Sequence, residues 1–175
     1  MTRPSRLLLF LMAAGTLAAA EPVVLQVTAP GKNLALSAAQ FAALPHIVLL
    51  AVDPHDRHAH HYAGVALREI LIRADAPLGE KLRGTALQLV VIARARDNYA
   101  VAFTLADFEE AFNARTILLA EQEDGKMLSD TLGPLRLSVS GDQQAARWEK
   151  MVSAIEIVSV APPGAVGKPV GAGQK

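Results

Sequence analysis

The chain has 175 residues, 17 lysines and arginines against 17 aspartates and glutamates, and no cysteine. That balance leaves no basic footprint for nucleic acid and no polybasic membrane patch. Without a thiol there is neither a disulfide framework nor a thiolate metal ligand, and one domain of this size needs no staple.

Arg3 and Arg6 form a positive start, residues 7–17 an apolar stretch too short to span a bilayer comfortably, and Ala18-Ala19-Ala20 before Glu21 a small-residue cleavage site. Residues 1–20 therefore read as a secretory signal peptide, with an uncleaved anchor as the alternative, and a periplasmic or secreted product is expected. A lipoprotein is excluded for want of a cysteine. Losing Arg3 and Arg6 leaves 15 basic groups against 17 acidic, a net charge of about −2. No second long apolar run follows, so no membrane span is expected after cleavage. Residues 21–161 read as one domain. The tail, 162–175, is rich in proline and glycine, lacks large apolar residues, and is expected to be disordered.

Residues 23–28 are short and β-branched and stop at Pro30-Gly31, which predicts a strand. Ser37 with Gln40 three residues on has capping-box spacing and opens a short helix that ends before Pro45. The continuous apolar run 47–52 predicts a strand buried on both faces. A polar loop, 53–61, follows, and 62–65 resume extended structure. Leu67, Ile70, Leu71 and Ala74 fall at helical spacing and form one apolar stripe. Strands are predicted at 87–93, 99–103, 117–120, 135–139 and 155–160, with turns at Asp97-Asn98 and Asp124-Gly125. Phe108, Ala111 and Phe112 mark a helix begun near Thr104, and a further short helix is expected over 145–151. Strands outnumber helices without strict alternation, so the fold class is α+β with mixed sheets.

Several motifs recur in fixed order. Leu36, Phe41 and Leu44-Pro45 come first, then Tyr62, Gly64-Val65, Leu67, Ile70-Leu71 and Ala74. Asp97-Asn98-Tyr99, Leu118-Leu119-Ala120-Glu121, Asp124-Gly125 and Gly133-Pro134-Leu135-Arg136-Leu137 follow, and Gly141, Arg147, Lys150 and Ile155-Glu156-Ile157 close the series. In this order they resemble the molybdopterin-binding domain of the sulfite oxidase superfamily, over about 23–160, and most of all its small, secreted, single-domain members. The resemblance implies a sulfite oxidase-type fold with short helices between mixed β-sheets. It also implies that the loop after the Gly-Pro-x-Arg strand holds part of the pterin and its phosphate, which singles out Arg136, Arg147, Lys150 and Trp148 as cofactor-binding residues. Arg147 and Lys150 keep the charge a phosphate needs, whereas Trp148 and Glu149 stand where the family carries Ser-Val.

Each of these residues has a plainer reading. Arg136 is then a strand residue paired with an acid such as Glu156, Arg147 and Lys150 are solvated helix residues, and Trp148 belongs to the core or to a lid. Enzymes of the family hold molybdenum through one cysteine thiolate, a soft ligand suited to that metal. The cysteine-bearing segment lies after 47–52, where this chain has 53–61 and no thiol. Molybdopterin is thus implied by the resemblance and opposed by the missing cysteine.

The segment 53–61 holds four of the five histidines, and His55, His58, His60 and His61 are candidate metal ligands. A solvated hairpin loop is the plainer alternative. No nucleophile elbow surrounds Ser138, Ser140 or Ser153, no glycine-rich phosphate loop follows a strand, and Asp107 with Glu109-Glu110 reads as a solvated helix face. Two functional classes stand: a non-catalytic module binding an anionic small molecule or a periplasmic protein, and a molybdopterin-dependent oxidoreductase, or its electron-transfer accessory, with non-cysteine ligation. Metal capture by the histidines is a third.

Overall fold

A computed structural model describes residues 21–112 and 115–160. The expected leader, 1–20, and tail, 162–175, lie outside the described residues.

Strands β1 (Val23–Ala29) and β2 (Lys32–Ser37) make a hairpin. Ser37 then caps α1 (Ala38–Ala42), accepting the Gln40 N–H while Gln40 Oε1 accepts the Ser37 N–H at 2.9 Å. This reciprocal cap is what allows so short a helix to start. β3 (Ile47–Val52) and β4 (Ala59–Ala66) form a second hairpin, and β4 runs directly into α2 (Leu67–Arg73). The stripe Leu67, Ile70, Leu71 and Ala74 is buried, as its spacing predicts. β5 (Leu89–Ala95) and β6 (Ala100–Thr104) follow, then β7 (Ile117–Glu123), β8 (Lys126–Met127), β9 (Arg136–Val139) and β10 (Val152–Ser159).

The strands form two five-stranded sheets. One has the order β2-β1-β10-β5-β6, with β1 and β10 parallel and the other pairs antiparallel; the other has the order β3-β4-β7-β8, with β9 also paired to β7. A single apolar core takes Leu25, Val91 and Ile155 from the first sheet, Leu118, Leu119 and Leu137 from the second, and Ile70 and Leu71 from α2. The arrangement is α+β with mixed sheets.

Three expectations fail locally. The run 47–52 is not buried on both faces: β3 is an edge strand, and Val48, Leu50 and Val52 are exposed. An unbroken apolar run marks a doubly covered strand only when layers lie on both sides, and nothing covers the outer face of β3 among the described residues. The helix expected from Thr104 is a 3₁₀ turn, Leu105–Phe108, because the Thr104–Asp107 cap closes a tight turn and Glu109 returns to extended backbone. Phe108 is buried there, while Ala111 and Phe112 are exposed. The helix expected over 145–151 is likewise a 3₁₀ turn, Ala145–Arg147, since Met151 at φ 51° cannot continue a helix and Glu149 C=O is taken by Leu137 N–H at 2.7 Å. β2 was not foreseen, nor the two-residue β8.

Candidate functional site

The β3–β4 loop is tied to the rest of the protein by one buried carboxylate. Asp53, 4% exposed, accepts the His55 N–H at 2.8 Å, which folds the loop into a local turn. Its backbone N–H donates to His58 C=O at 2.8 Å and its C=O accepts from Arg57 N–H at 2.7 Å. Its other carboxylate oxygen receives Arg136 Nη2 at 2.6 Å and the Tyr62 hydroxyl at 3.0 Å. Arg136, 3% exposed, comes from β9, and its Nη1 reaches Glu123 Oε2 at 3.4 Å. Its guanidinium lies 5.5 Å from the Tyr62 ring centre and 5.3 Å from that of Trp148, and the two rings meet edge to face at 5.4 Å.

Burial works to raise the Asp53 pKa, but the His55 N–H, the Arg136 guanidinium and the Tyr62 hydroxyl prevail and hold it below the usual carboxylate range. Burial pushes the Tyr62 phenol up, so it stays a neutral donor. Arg136 therefore pairs with Asp53 and Glu123 and not with Glu156, which binds Arg94 Nε at 2.7 Å. Trp148 is a core residue over this pair. Arg136 Nε, Trp148 Nε1 and Glu149 Oε2 are buried without a hydrogen-bond partner among the described residues.

Beside this node lies an open cleft with a volume of about 730 Å³. Leu50, Val52, Pro54 and Arg57 of the β3 side face Gly141, Asp142 and Gln144 of the segment after β9. The two stretches that the resemblance ties to a cofactor, the loop after β3 and the loop after the Gly-Pro-x-Arg strand, thus line one cleft. At its rim Asp142 holds Arg147 in a two-pronged pair at 2.7 and 2.5 Å and also takes Arg115 at 2.8 Å. The hydrogen bonds to Asp142 raise the Arg147 pKa further, and its guanidinium lies 5.1 Å from the Phe103 ring centre. Arg57, with φ 65°, is exposed and makes no ion pair among the described residues. Lys150 is exposed.

The candidate cofactor residues therefore fall into separate places: Arg136 and Trp148 inside, Arg147 at the rim, Lys150 on the surface. As arranged, they do not make a molybdopterin cradle. The position after β3 offers a carboxylate already consumed by Arg136, Tyr62 and His55, and no soft ligand stands beside it.

The histidines also separate. His60 is drawn in: Nδ1 lies 2.7 Å from Asp124 Oδ2 and Nε2 lies 2.9 Å from Asp56 Oδ2. With a carboxylate at each nitrogen both ring positions donate, and the Asp124 and Asp56 bonds raise the His60 pKa to about 9. His55, His58 and His61 remain exposed. Glu123, Asp124 and Asp142 emerge as key residues only with the structure. Their sole sequence signal is the Asp124-Gly125 turn, which places Glu123 across from Tyr62. The acids at 107–110 are not a free helix face either: Asp107 caps Thr104, and Glu109 Oε1 accepts from Arg68 at 3.1 Å and from Gly79 N–H at 2.9 Å.

No protein-family profile and no curated protein sequence matches the chain. Among solved structures it is similar to the sulfane dehydrogenase SoxCD from Paracoccus pantotrophus, with a TM-score of 0.58 and 19% identity, over 78% of this chain and 38% of that one. The chain thus spans well under half the length of the structure it matches. The likeness shows that this chain shares its α+β fold with that protein over the matched part.

Proposed function

We propose that this domain is a binding module without redox chemistry, which takes an anionic small molecule in the cleft between the β3–β4 loop and the segment after β9. The observation that carries the reading is the charge at the cleft: Arg57 lines it with no ion pair among the described residues, and Asp142, which faces it, is already bound by Arg115 and Arg147. That leaves the Arg57 guanidinium at an open space, and planar guanidinium forks suit phosphate, sulfate or carboxylate. The missing thiolate and the internal use of Asp53 argue against a molybdenum centre. We further propose that the protein is exported, its leader cut after Ala20, so that it acts outside the cytoplasm.

Titration with phosphate, pyrophosphate and sulfate, followed by amide NMR, tests the cleft. Saturable shifts at Gly141, Gln143 and Gln144 are expected, with affinity weakened by about tenfold in Arg57→Ala, the scale of one lost charged contact. Absence of saturable shifts, or equal affinity in the variant, would overturn the reading. A native mass spectrum of protein purified from its own host tests export: a chain beginning at Glu21 is expected, and a retained leader would refute it.

A further inference from the structure

The mouth of the β3–β4 hairpin gathers ligating groups in a pattern that the buried node does not explain. His60 Nδ1 lies 3.5 Å from Glu123 Oε1 and 2.7 Å from Asp124 Oδ2, and the three ligand atoms lie within 4.8 Å of one another. Each of the three side chains has its other polar atom engaged elsewhere. His60 Nε2 is held by Asp56 at 2.9 Å, Asp124 Oδ1 accepts the His61 N–H at 2.9 Å, and Glu123 Oε2 faces Arg136 Nη1 at 3.4 Å. One atom of each thus fixes the side chain, and the three remaining atoms lie together, two of them joined by the His60–Asp124 hydrogen bond. A second imidazole stands at the edge, with His61 Nδ1 3.9 Å from Asp124 Oδ1.

We propose that His60 Nδ1, Glu123 Oε1 and Asp124 Oδ2 form a binding site for a divalent first-row transition ion, with His61 able to turn in as a fourth ligand. Imidazole with carboxylates suits such ions. Nitrogen and oxygen ligands at about 2.0–2.2 Å from a tetrahedral ion sit roughly 3.4 Å apart. The His60–Glu123 separation of 3.5 Å already meets that spacing. The His60–Asp124 contact opens by about 0.7 Å as the ion takes the place of the Nδ1 proton, which is released to solvent. Imidazoles that bind metals keep their orientation by donating the remote ring N–H to a carboxylate, which is the place Asp56 occupies. The ligand set differs from a loose cluster of loop histidines: it draws one imidazole from β4, one carboxylate from the end of β7 and one from the turn after it, and the β4–β7 pairing sets their spacing. The proposal does not depend on the anion cleft.

The test is calorimetry of the metal-stripped full chain with zinc chloride alone, together with NMR of the histidine ring nitrogens. One zinc per chain is expected, binding in the range of about 1–10 µM, with the His60 ring shifting most. Asp124→Asn should weaken it by about tenfold or more; asparagine tolerates the left-handed backbone of that position, φ 49°, so the fold is kept. Glu123→Gln should act in the same direction, and His55→Gln should leave binding unchanged. No saturable heat up to about 1 mM zinc would overturn the site. So would binding that survives Asp124→Asn and Glu123→Gln but is lost in His55→Gln, since the exposed loop histidines would then be the ligands.

Discussion

Asp53→Ala removes the acceptor for three hydrogen bonds, from Arg136, Tyr62 and His55, and leaves a buried guanidinium with only Glu123 at 3.4 Å. Breaking a buried pair from one side costs about 3–5 kcal/mol, because the surviving charge has no compensation. A domain of this size is stable by about 5–15 kcal/mol and loses about 2–4 °C per kcal/mol, so Tm should fall by roughly 6–20 °C. Arg136→Met leaves Asp53 two donors, Tyr62 and His55, and should cost less, about 2–3 kcal/mol. In the double variant no unpaired charge remains, and its total should fall short of the sum by at least about 1.5 kcal/mol. Urea unfolding followed by the fluorescence of Trp148, the single tryptophan, measures all four corners of the cycle. Additivity within about 0.5 kcal/mol would refute the claim that the two act as a unit. The pair also has a pH signature. The folded Asp53 pKa is depressed, so its contribution is present above the unfolded value of about 3.9 and is lost as pH falls through the folded value. The acid limb of the stability curve should therefore be shallower in Asp53→Asn than in the parent.

Two further predictions concern groups held against their preference. Burial and the nearby Asp97 raise the Glu149 pKa, and its Oε2 has no partner among the described residues. A carboxyl with a raised folded pKa loses stability as pH climbs through its unfolded value of about 4.3; Glu149→Gln should therefore raise Tm at neutral pH and leave it unchanged below about pH 4. Equal Tm values at neutral pH would count against this. At Gly64 an added Cβ would collide with the Leu119 carbonyl and stand 2.7 Å from Ala120 Cα, so Gly64→Ala should cost at least about 1–3 kcal/mol and speed hydrogen exchange across the β4–β7 pair. An unchanged Tm and exchange pattern would mean that β7 can move away.

Local rules carried much of the fold. The α2 stripe, the Ser37–Gln40 cap and the Asp124-Gly125 turn each depend on residues a few positions apart, and each stands in the structure as read. Where coverage by a distant layer decides, the same rules fail. The run 47–52 has the composition of a central strand but sits at an edge. Lys32–Ser37 pairs with β1 although its mixed polar composition announces no strand. The site was legible only in part for the same reason. Arg136 could be singled out, but its partner lies 83 residues away, and no spacing rule connects them. Glu156 was one acid on offer, but the register sets it opposite Ile92 and beside Arg94.

Asp53 opens the segment in which the resemblance expects a thiolate. A carboxylate there turns inward, where a buried arginine on β9 and a phenol on β4 fix its charge. The loop is then organised around an internal ion pair, with Arg57 held toward the cleft by its N–H bond to Asp53 and His60 set at the start of β4, where the loop ends. Loosening Asp53 should therefore weaken anion binding and zinc binding together, whereas Arg57→Ala should affect only the first and Asp124→Asn only the second. That pattern of one shared and two separate losses would not arise from general destabilisation, which would lower both affinities in all three variants.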